Sequence, residues 1–218
     1  MVRWKIAVTT APRHPNFLEQ TVVSLQSAGW DYSNITVYAE PSSVSVSPPV
    51  VVEQHTTVLG PWRNWLHTLG SLCAEDCEYI AIVQDDLIFR PGLKKYLNET
   101  MMDYAVYSPY VSKRDAISIG NVPEGWHPCT SGWHLCGACF FAMPLSLGQQ
   151  LCQTLPAIVP ENKHIDAVVA LHLQQAKIPL YVHMPSLVQH LADAHSTMGY
   201  GRNPHCRTAH QYTEEPID

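Results

Sequence analysis

The stretch Glu78-Tyr79-Ile80-Ala81-Ile82-Val83-Gln84-Asp85-Asp86-Leu87-Ile88-Phe89-Arg90-Pro91-Gly92 decides the fold class. Tyr79 to Val83 is a short apolar run with two isoleucines and a valine. A run of this length between polar residues suits a strand buried on both faces, as in a parallel sheet. Its carboxyl end carries Gln84, Asp85 and Asp86, after which the chain turns apolar at Leu87 to Phe89 and breaks at Pro91-Gly92. Open α/β sheets bind ligands outside the carboxyl ends of their strands. Two adjacent carboxylates there repel one another unless a cation or a proton offsets them. The segment therefore predicts a divalent-metal site at a strand end, with a water-facing acidic turn as the plain alternative.

Outward from this strand the chain alternates strand and helix. Trp4 to Thr9 reads as a first strand, ending in the polar turn Thr9-Thr10-Ala11-Pro12-Arg13, where Pro12 forbids further pairing. A helix follows, with Pro15 in its first turn, Leu18, Val22 and Leu25 at helical spacing and Gly29 as terminator. Ile35 to Ala39 is a second strand closed by Glu40-Pro41, Ser42 to Pro49 is a loop by composition, and Val50 to Val52 is a short strand. Gly60-Pro61 opens a helix whose Trp62, Trp65, Leu66, Leu69 and Cys73 form an apolar stripe. Arg63 lies in its first turn, where outward-pointing N–H groups favour an anion. A helix from Leu93 to Tyr104 completes the pattern of a parallel, doubly wound sheet.

Beyond Ala105 the rhythm changes. Ala116 to Gly120 and Leu135 to Met143 read as strands on either side of the Gly/Pro/Trp-rich segment Asn121 to Trp133, a candidate substrate-binding loop. Helices over Ser146 to Leu155 and Lys163 to Gln175 precede a strand over Leu180 to His183. The tail from Pro185 to Asp218 carries His190, His195, His205 and His210 without periodicity, either folded back over the site or loose. With no internal repeat and no linker, the expectation is one domain over 1–218, with a first half over 1–104 and a second half with its tail over 105–218.

Composition narrows the function. Hydrophobic residues make up 46% and charged residues 15%, which fits a chain with a real core and excludes a largely disordered one. The net charge of −6 and the lack of a basic block argue against nucleic acid as a partner. No secretory signal and no membrane-spanning stretch is read, and seven cysteines, an odd number, point to reduced thiols in a cytoplasmic compartment. Cys136 and Cys139 have a metal-ligand spacing, with Cys129, His127 and His134 nearby, but the apolar run from Cys136 to Met143 favours buried structural thiols. There is no Walker motif, no strand-linked Gly-x-Gly-x-x-Gly and no Gly-x-Ser-x-Gly elbow.

The β/α start, Thr9-Thr10-Ala11-Pro12-Arg13, Glu40 after the second strand and Gln84-Asp85-Asp86 together resemble the GT-A glycosyltransferases that use nucleotide sugars. The resemblance runs from about Arg3 to Gln189 and is strongest to the compact GT-A domains of large algal virus glycosyltransferases; a viral chain would act in the host cytoplasm. Gln84 stands where the family's Asp-x-Asp motif has its first Asp. The resemblance implies a single Rossmann-like GT-A domain, a mostly parallel sheet flanked by helices, whose first half binds the nucleotide sugar and whose second half binds the acceptor. It implies a donor such as a UDP-sugar, a glycan or glycoprotein acceptor, and Mn²⁺ or Mg²⁺ to offset the charge of the departing diphosphate. In those terms Asp86 and His190 hold the metal, and Asp85 bonds the donor ribose or sugar. Thr9 and Glu40 frame the base, and Arg13 and Arg63 meet the diphosphate. Trp126 and Trp133 are candidates to stack on the acceptor.

Asp166 begins a helix whose Val169, Ala170 and Leu173 fall at i+3, i+4 and i+7, so it shares their buried face. The resemblance makes it the general base of an inverting transferase, with Glu161 and Asp193 in reserve; as a plain alternative it is an acid favouring a helix N-terminus. Two other classes remain. A nucleotidyltransferase acting on sugar phosphates usually has a Gly-rich basic loop after the first strand, where this chain has one Arg and no Gly. A zinc-stabilised interaction domain would be built on the cysteines and histidines around Cys129 to Cys139.

Overall fold

The computed structural model describes residues 2–43, 46–102, 104–129, 138–155, 164–191 and 207–217. Seventeen residues after the start, the first strand β1 (Trp4–Thr10) has already handed over to α1 (Leu18–Ser27); then come β2 (Ile35–Ala39), β3 (Val51–Gln54), α2 (Pro61–Leu72), β4 (Tyr79–Gln84), β5 (Leu87–Phe89) and α3 (Leu93–Thr100). The second half adds β6 (Val106–Ser108), α4 (Lys113–Ile119), β7 (Gly125–Pro128), β8 (Phe140–Pro144), α5 (Leu145–Thr154), α6 (Ile165–Ala176), β9 (Leu180–Met184) and β10 (Val188–His190).

Eight strands form one sheet in the order β3-β2-β1-β4-β8-β6-β9-β7. β3, β2, β1 and β4 pair in parallel, β8 runs against both β4 and β6, β9 runs parallel to β6, and β7 runs against β9. The sheet is therefore mostly parallel, and strands of both halves of the chain share it. Its central strands are apolar on both faces because helices cover both. Ile6, Val8, Ala81, Val83, Phe140 and Ala142 pack with Leu18, Val22 and Leu25 of α1 and Leu93 and Leu97 of α3. The alternate residues Ala7, Ile80, Ile82, Phe141 and Met143 pack with Trp65 and Leu69 of α2, Leu147 and Leu151 of α5, and Val169 and Leu173 of α6.

Several expectations change. Ala116 to Gly120 is not a strand: Ser112 caps α4, its hydroxyl accepting the Asp115 N–H at 3.0 Å, and Gly120 ends it at φ 84°. That side-chain cap outweighs the β-branched isoleucines Ile117 and Ile119. The expected strand over Leu135 to Met143 begins only at Phe140, while residues 130–137 lie outside the described residues. The segment Asn121 to Trp133 is not wholly irregular, because β7 inside it pairs with β9. Leu87 to Phe89 and Val188 to His190 form a separate two-stranded sheet, β5 against β10. The helix expected from Leu93 to Tyr104 stops at Thr100.

Gly148 marks how tightly α5 seats on the sheet: a Cβ there would intrude on Ile80 Cδ1 and come 3.5 Å from Cys73 Sγ. Ile80 is fully buried and has little room to turn aside. Gly148→Ala is expected to cost about 1–3 kcal/mol, as overpacking usually does; urea unfolding measures it, and an unchanged midpoint would show that Ile80 can repack.

Candidate functional site

Strand order reverses between β1 and β4, with β2 and β3 lying to one side and β8 to the other. Such a switch point opens a crevice at the carboxyl ends of the two strands, the preferred ligand position in an open α/β sheet. Thr10 ends β1 and Asp85-Asp86 follows β4, so these three residues stand at the crevice. The small second sheet supplies the rest. β5 leaves the main sheet directly after Asp86, and its free N–H groups are satisfied by hydroxyls of α1: Leu87 donates to Thr21 Oγ1 at 3.0 Å and Phe89 to Ser24 Oγ at 2.8 Å. β10 then pairs with β5 so that His190 lies opposite Leu87, and Leu191 N–H donates to the Asp86 carbonyl at 2.9 Å. A histidine more than a hundred residues along the chain is thereby set beside Asp86.

Both carboxylates are withdrawn from water, with side-chain exposures of 0% for Asp85 and 1% for Asp86. Arg13, turning back from the loop after β1, bridges them, with Nη2 2.6 Å from Asp85 Oδ1 and Nη1 2.7 Å from Asp86 Oδ2. The Thr10 hydroxyl donates to Asp85 Oδ2. Arg207 adds a second guanidinium, its Nη2 donating to Asp86 Oδ2 and lying 3.1 Å from His190 Nδ1. Arginine only donates, so Nδ1 is the acceptor and the ring proton sits on Nε2, which faces Cys139 Sγ at 2.9 Å. Cys139 thus fixes the tautomer and leaves the Nδ1 lone pair toward Asp86. Tyr110 meets the same ring edge-on at 5.2 Å between centroids.

The environments drive the two acids apart. Burial raises Asp85 to about 6, with the charge of Asp86 adding to the rise and Arg13 and Thr10 pulling against it. Burial acts the same way on Asp86, but His190 in its protonated form and the two guanidinium groups outweigh it and hold that carboxyl well below the usual range. Burial also pushes the Cys139 thiol well up, so it is a neutral partner and not a nucleophile.

The divalent ion implied by the resemblance fits two donors. Among the described residues Asp86 Oδ1 is buried without a hydrogen bond, and His190 Nδ1 lies 3.4 Å from it. Donors at that spacing can share one ion at about 2.1 Å from each. Cys139 cannot join them, because it faces the opposite nitrogen of the ring. Among the described residues no group of three or more His, Cys, Asp and Glu is arranged to hold a metal. An ion here would accordingly take its remaining ligands from substrate and water, as Mg²⁺ commonly does.

The other expected residues fall in different places. Thr9, half-buried, donates to the Val83 carbonyl at 3.2 Å. Glu40 ends β2 with both oxygens engaged, accepting Leu59 N–H at 2.9 Å and Gly60 N–H at 2.8 Å, and so shapes the entry to α2. Gly60, at φ 77°, makes that entry in a conformation that favours glycine. Arg63 is exposed in the first turn of α2 and has no ion pair among the described residues. Trp65 is buried and Trp62 stacks on it at 5.8 Å. Trp126 is not a free indole: it packs among Tyr96, Tyr107 and His183 and donates to Thr100 Oγ1 at 2.9 Å. Trp126 is half-buried in this cluster. Trp133, Cys136, His134, Glu161 and Asp193 lie outside the described residues.

Asp166 is in the first turn of α6, half-buried, its Oδ1 accepting the Ala167 N–H at 2.9 Å. Burial raises its pKa against the pull of that N–H and of His164, and its charge reaches both Cys139 and Asp115. Thr10, Tyr110 and Arg207 complete the cluster without having been picked out from the sequence as site residues, and Cys139, weighed there as a zinc ligand or a buried thiol, is the partner of His190.

The folded protein binds the Asp85 proton more tightly than the unfolded chain, whose value is near the ordinary 3.8. Stability from this group is thus greatest below pH 4 and falls by roughly 3 kcal/mol as pH rises through about 6. Urea unfolding between pH 4 and pH 7 should show this decline in the native protein and lose it in Asp85→Asn. A decline of the same size in the variant would assign it to other groups. No family model matches this chain, and no curated protein matches it in sequence.

Proposed function

We propose that the protein is a glycosyltransferase that moves a sugar from a nucleoside-diphosphate sugar, with UDP as the expected nucleotide, to a hydroxyl of a glycan or glycoprotein. The observation that carries this reading is the pairing of Asp86 and His190 at the switch point, where one Asp86 oxygen, without a hydrogen bond among the described residues, lies 3.4 Å from His190 Nδ1. When bound between these two groups, Mn²⁺ or Mg²⁺ would supply positive charge for the departing diphosphate. Asp86 and His190 Nδ1 would hold that charge in place, and the Nε2–H bond to Cys139 would keep the ring from turning. Asp85, able to take up a proton near neutral pH, suits a hydrogen bond to a ribose or sugar hydroxyl. Arg63 is free to reach a phosphate, while Arg13 keeps the two carboxylates aligned. Asp166 is the base for the acceptor hydroxyl: burial makes its oxygen more basic than an ordinary carboxylate, and proton transfer is most effective when donor and acceptor are matched near the working pH. The described residues contain no helix long and apolar enough to cross a membrane.

A panel of nucleotide sugars with Mn²⁺, read as thermal stabilisation, tests the donor class, because a ligand bound only to the folded state raises Tm. UDP with Mn²⁺ is expected to raise it, Arg63→Ala to weaken the rise, and Asp86→Ala to abolish both the metal-dependent part and transfer. Absence of a shift with every nucleoside diphosphate, with and without metal, would set the reading aside.

Transfer by direct displacement inverts the anomeric carbon. Asp166→Asn keeps the shape of the side chain without the basic oxygen, so kcat should fall by roughly 10²–10⁴-fold with donor affinity nearly unchanged. Because the pKa of Asp166 is raised, the acid limb of the kcat profile should lie above the ordinary carboxylate range. A product that keeps the donor's anomeric configuration, or a fully active but less stable Asp166→Asn, would show that the residue is a helix-start acid and no base.

A further inference from the structure

Segment 207–217 is tied to the fold along its length. Ala209 bridges Ser112, and Ala209 N–H donates to Gln189 Oε1 at 2.6 Å. Lys113 N–H donates to the Thr208 carbonyl at 2.8 Å, His210 N–H to Val111 at 2.9 Å, and Ser186 N–H to His210 at 2.9 Å. Farther along, Arg90 donates to the carbonyls of Glu215 and Pro216, and Ile217 N–H donates to Pro91 at 3.0 Å. These bonds fix the head of the segment, and the Arg207 side chain enters the crevice with 17% exposure. Its Nη2 stands between Asp86 Oδ2 and His190 Nδ1.

One nitrogen of Arg207 therefore does what an ion between Asp86 and His190 would do. It brings positive charge to the carboxylate and saturates the ring nitrogen. Neutral Nδ1 has a single lone pair, which cannot serve an N–H donor and a metal bond together. A second constraint is charge: Asp85 and Asp86 are already balanced by Arg13 and Arg207, so a divalent ion added to the intact cluster meets no net negative charge. Arg207 also carries two buried nitrogens, Nε and Nη1, without hydrogen-bond partners among the described residues. Buried donors of that kind hold a side chain less firmly than a fully bonded guanidinium would be held.

We infer that Arg207 is an exchangeable internal cation: it holds Asp86 and His190 in the metal-free protein and must leave them when a divalent ion enters. The inference rests on the metal-dependent reading above. It makes Arg207, at the head of the bonded segment 207–217, the part of the chain that responds to the ion, its side chain leaving the crevice when the ion enters. It also predicts that the native protein binds the bare ion weakly for a site with so basic a donor pair.

The test is Mn²⁺ binding at pH 8, followed by the electron paramagnetic resonance of free Mn²⁺, in the native protein, Arg207→Gln and Arg207→Lys. Arg207→Gln removes the competing charge and should bind Mn²⁺ at least about tenfold more tightly, while Arg207→Lys should stay close to the native protein. Limited trypsin digestion of the native protein gives a second reading that needs no variant. Cleavage after Arg207 should be slow in EDTA and faster with saturating Mn²⁺, and it decides the matter if Arg207→Gln does not fold. Equal or weaker Mn²⁺ binding by Arg207→Gln, or cleavage indifferent to Mn²⁺, would overturn the exchange while leaving the metal reading intact. No Mn²⁺ binding by any of the three proteins, together with no stabilisation by UDP and Mn²⁺, would remove both.

Discussion

Carboxylates on consecutive residues, both buried, face mutual repulsion and the loss of hydration at once, and Arg13 is what makes the arrangement tolerable. Its two terminal nitrogens span the pair at 2.6 and 2.7 Å. A buried charge left without a partner costs several kcal/mol, so this fork constrains everything around it. β1 has to end at Thr10 for the chain to turn back and deliver Arg13, and the Thr10 hydroxyl on that same end takes one more oxygen of Asp85. The end of β1 and the end of β4 are in this way held by charge as well as by the parallel pairing of Thr9 with Gln84.

The rest of the cluster arrives through pairings of long sequence separation. β8 runs against β4 and brings Cys139 beside the end of that strand, where its carbonyl accepts the Gln84 N–H at 3.0 Å. β5 could not leave the main sheet without stranding its N–H groups, and Thr21 and Ser24 on α1 satisfy them. Once β5 stands apart it offers an edge, β10 takes it, and His190 is delivered to Asp86. Each step places a polar side chain by satisfying backbone groups elsewhere, so the site is as rigid as the sheets that present it.

The first half of the fold was legible because its strands are apolar on both faces and its helices have single stripes: Ile35 to Ala39 matches β2 residue for residue, and the acidic strand differs from β4 by one residue. The position of Asp85 and Asp86 at a strand end followed from the same pattern. In the second half the helices over Ser146 to Leu155 and Lys163 to Gln175 and the strand over Leu180 to His183 correspond to α5, α6 and β9, while the remaining elements were not legible, for identifiable reasons. β6, β7 and β10 are three or four residues long, too short for a period to register. α4 is set by the Ser112 cap acting against two isoleucines, a local bond prevailing over propensity. Arg207 sits in a polar tail where nothing local distinguishes it, and its role arises only from the docking of 207–217. Glu40 could be read from the sequence as a polar residue at the end of β2, but not its bonds to Leu59 and Gly60, which depend on where the chain enters α2. The surroundings of Trp126 were not legible either, because a tryptophan in a Gly/Pro-rich stretch looks exposed, whereas β7 carries it into an aromatic cluster.

The division of labour between the two acids follows from their surroundings and not from their order in the chain. Titratable groups whose environments pull their pKa values apart are suited to different tasks. Asp86 is met by two guanidinium groups and a histidine and stays ionised under any ordinary condition, which is what a cation holder requires. Asp85 shares only Arg13 and a hydroxyl, is buried more completely, and takes up a proton near pH 6. A carboxyl group that exchanges its proton in that range can donate to a hydroxyl or accept from one, which a permanently charged neighbour cannot do. If both carboxylates were simple metal ligands, a second cation beside Asp85 would be expected to depress it as it does Asp86. The guanidinium of Arg13 is shared between the two acids, whereas Arg207 meets Asp86 alone, and that asymmetry of positive charge sets the two carboxyl groups apart.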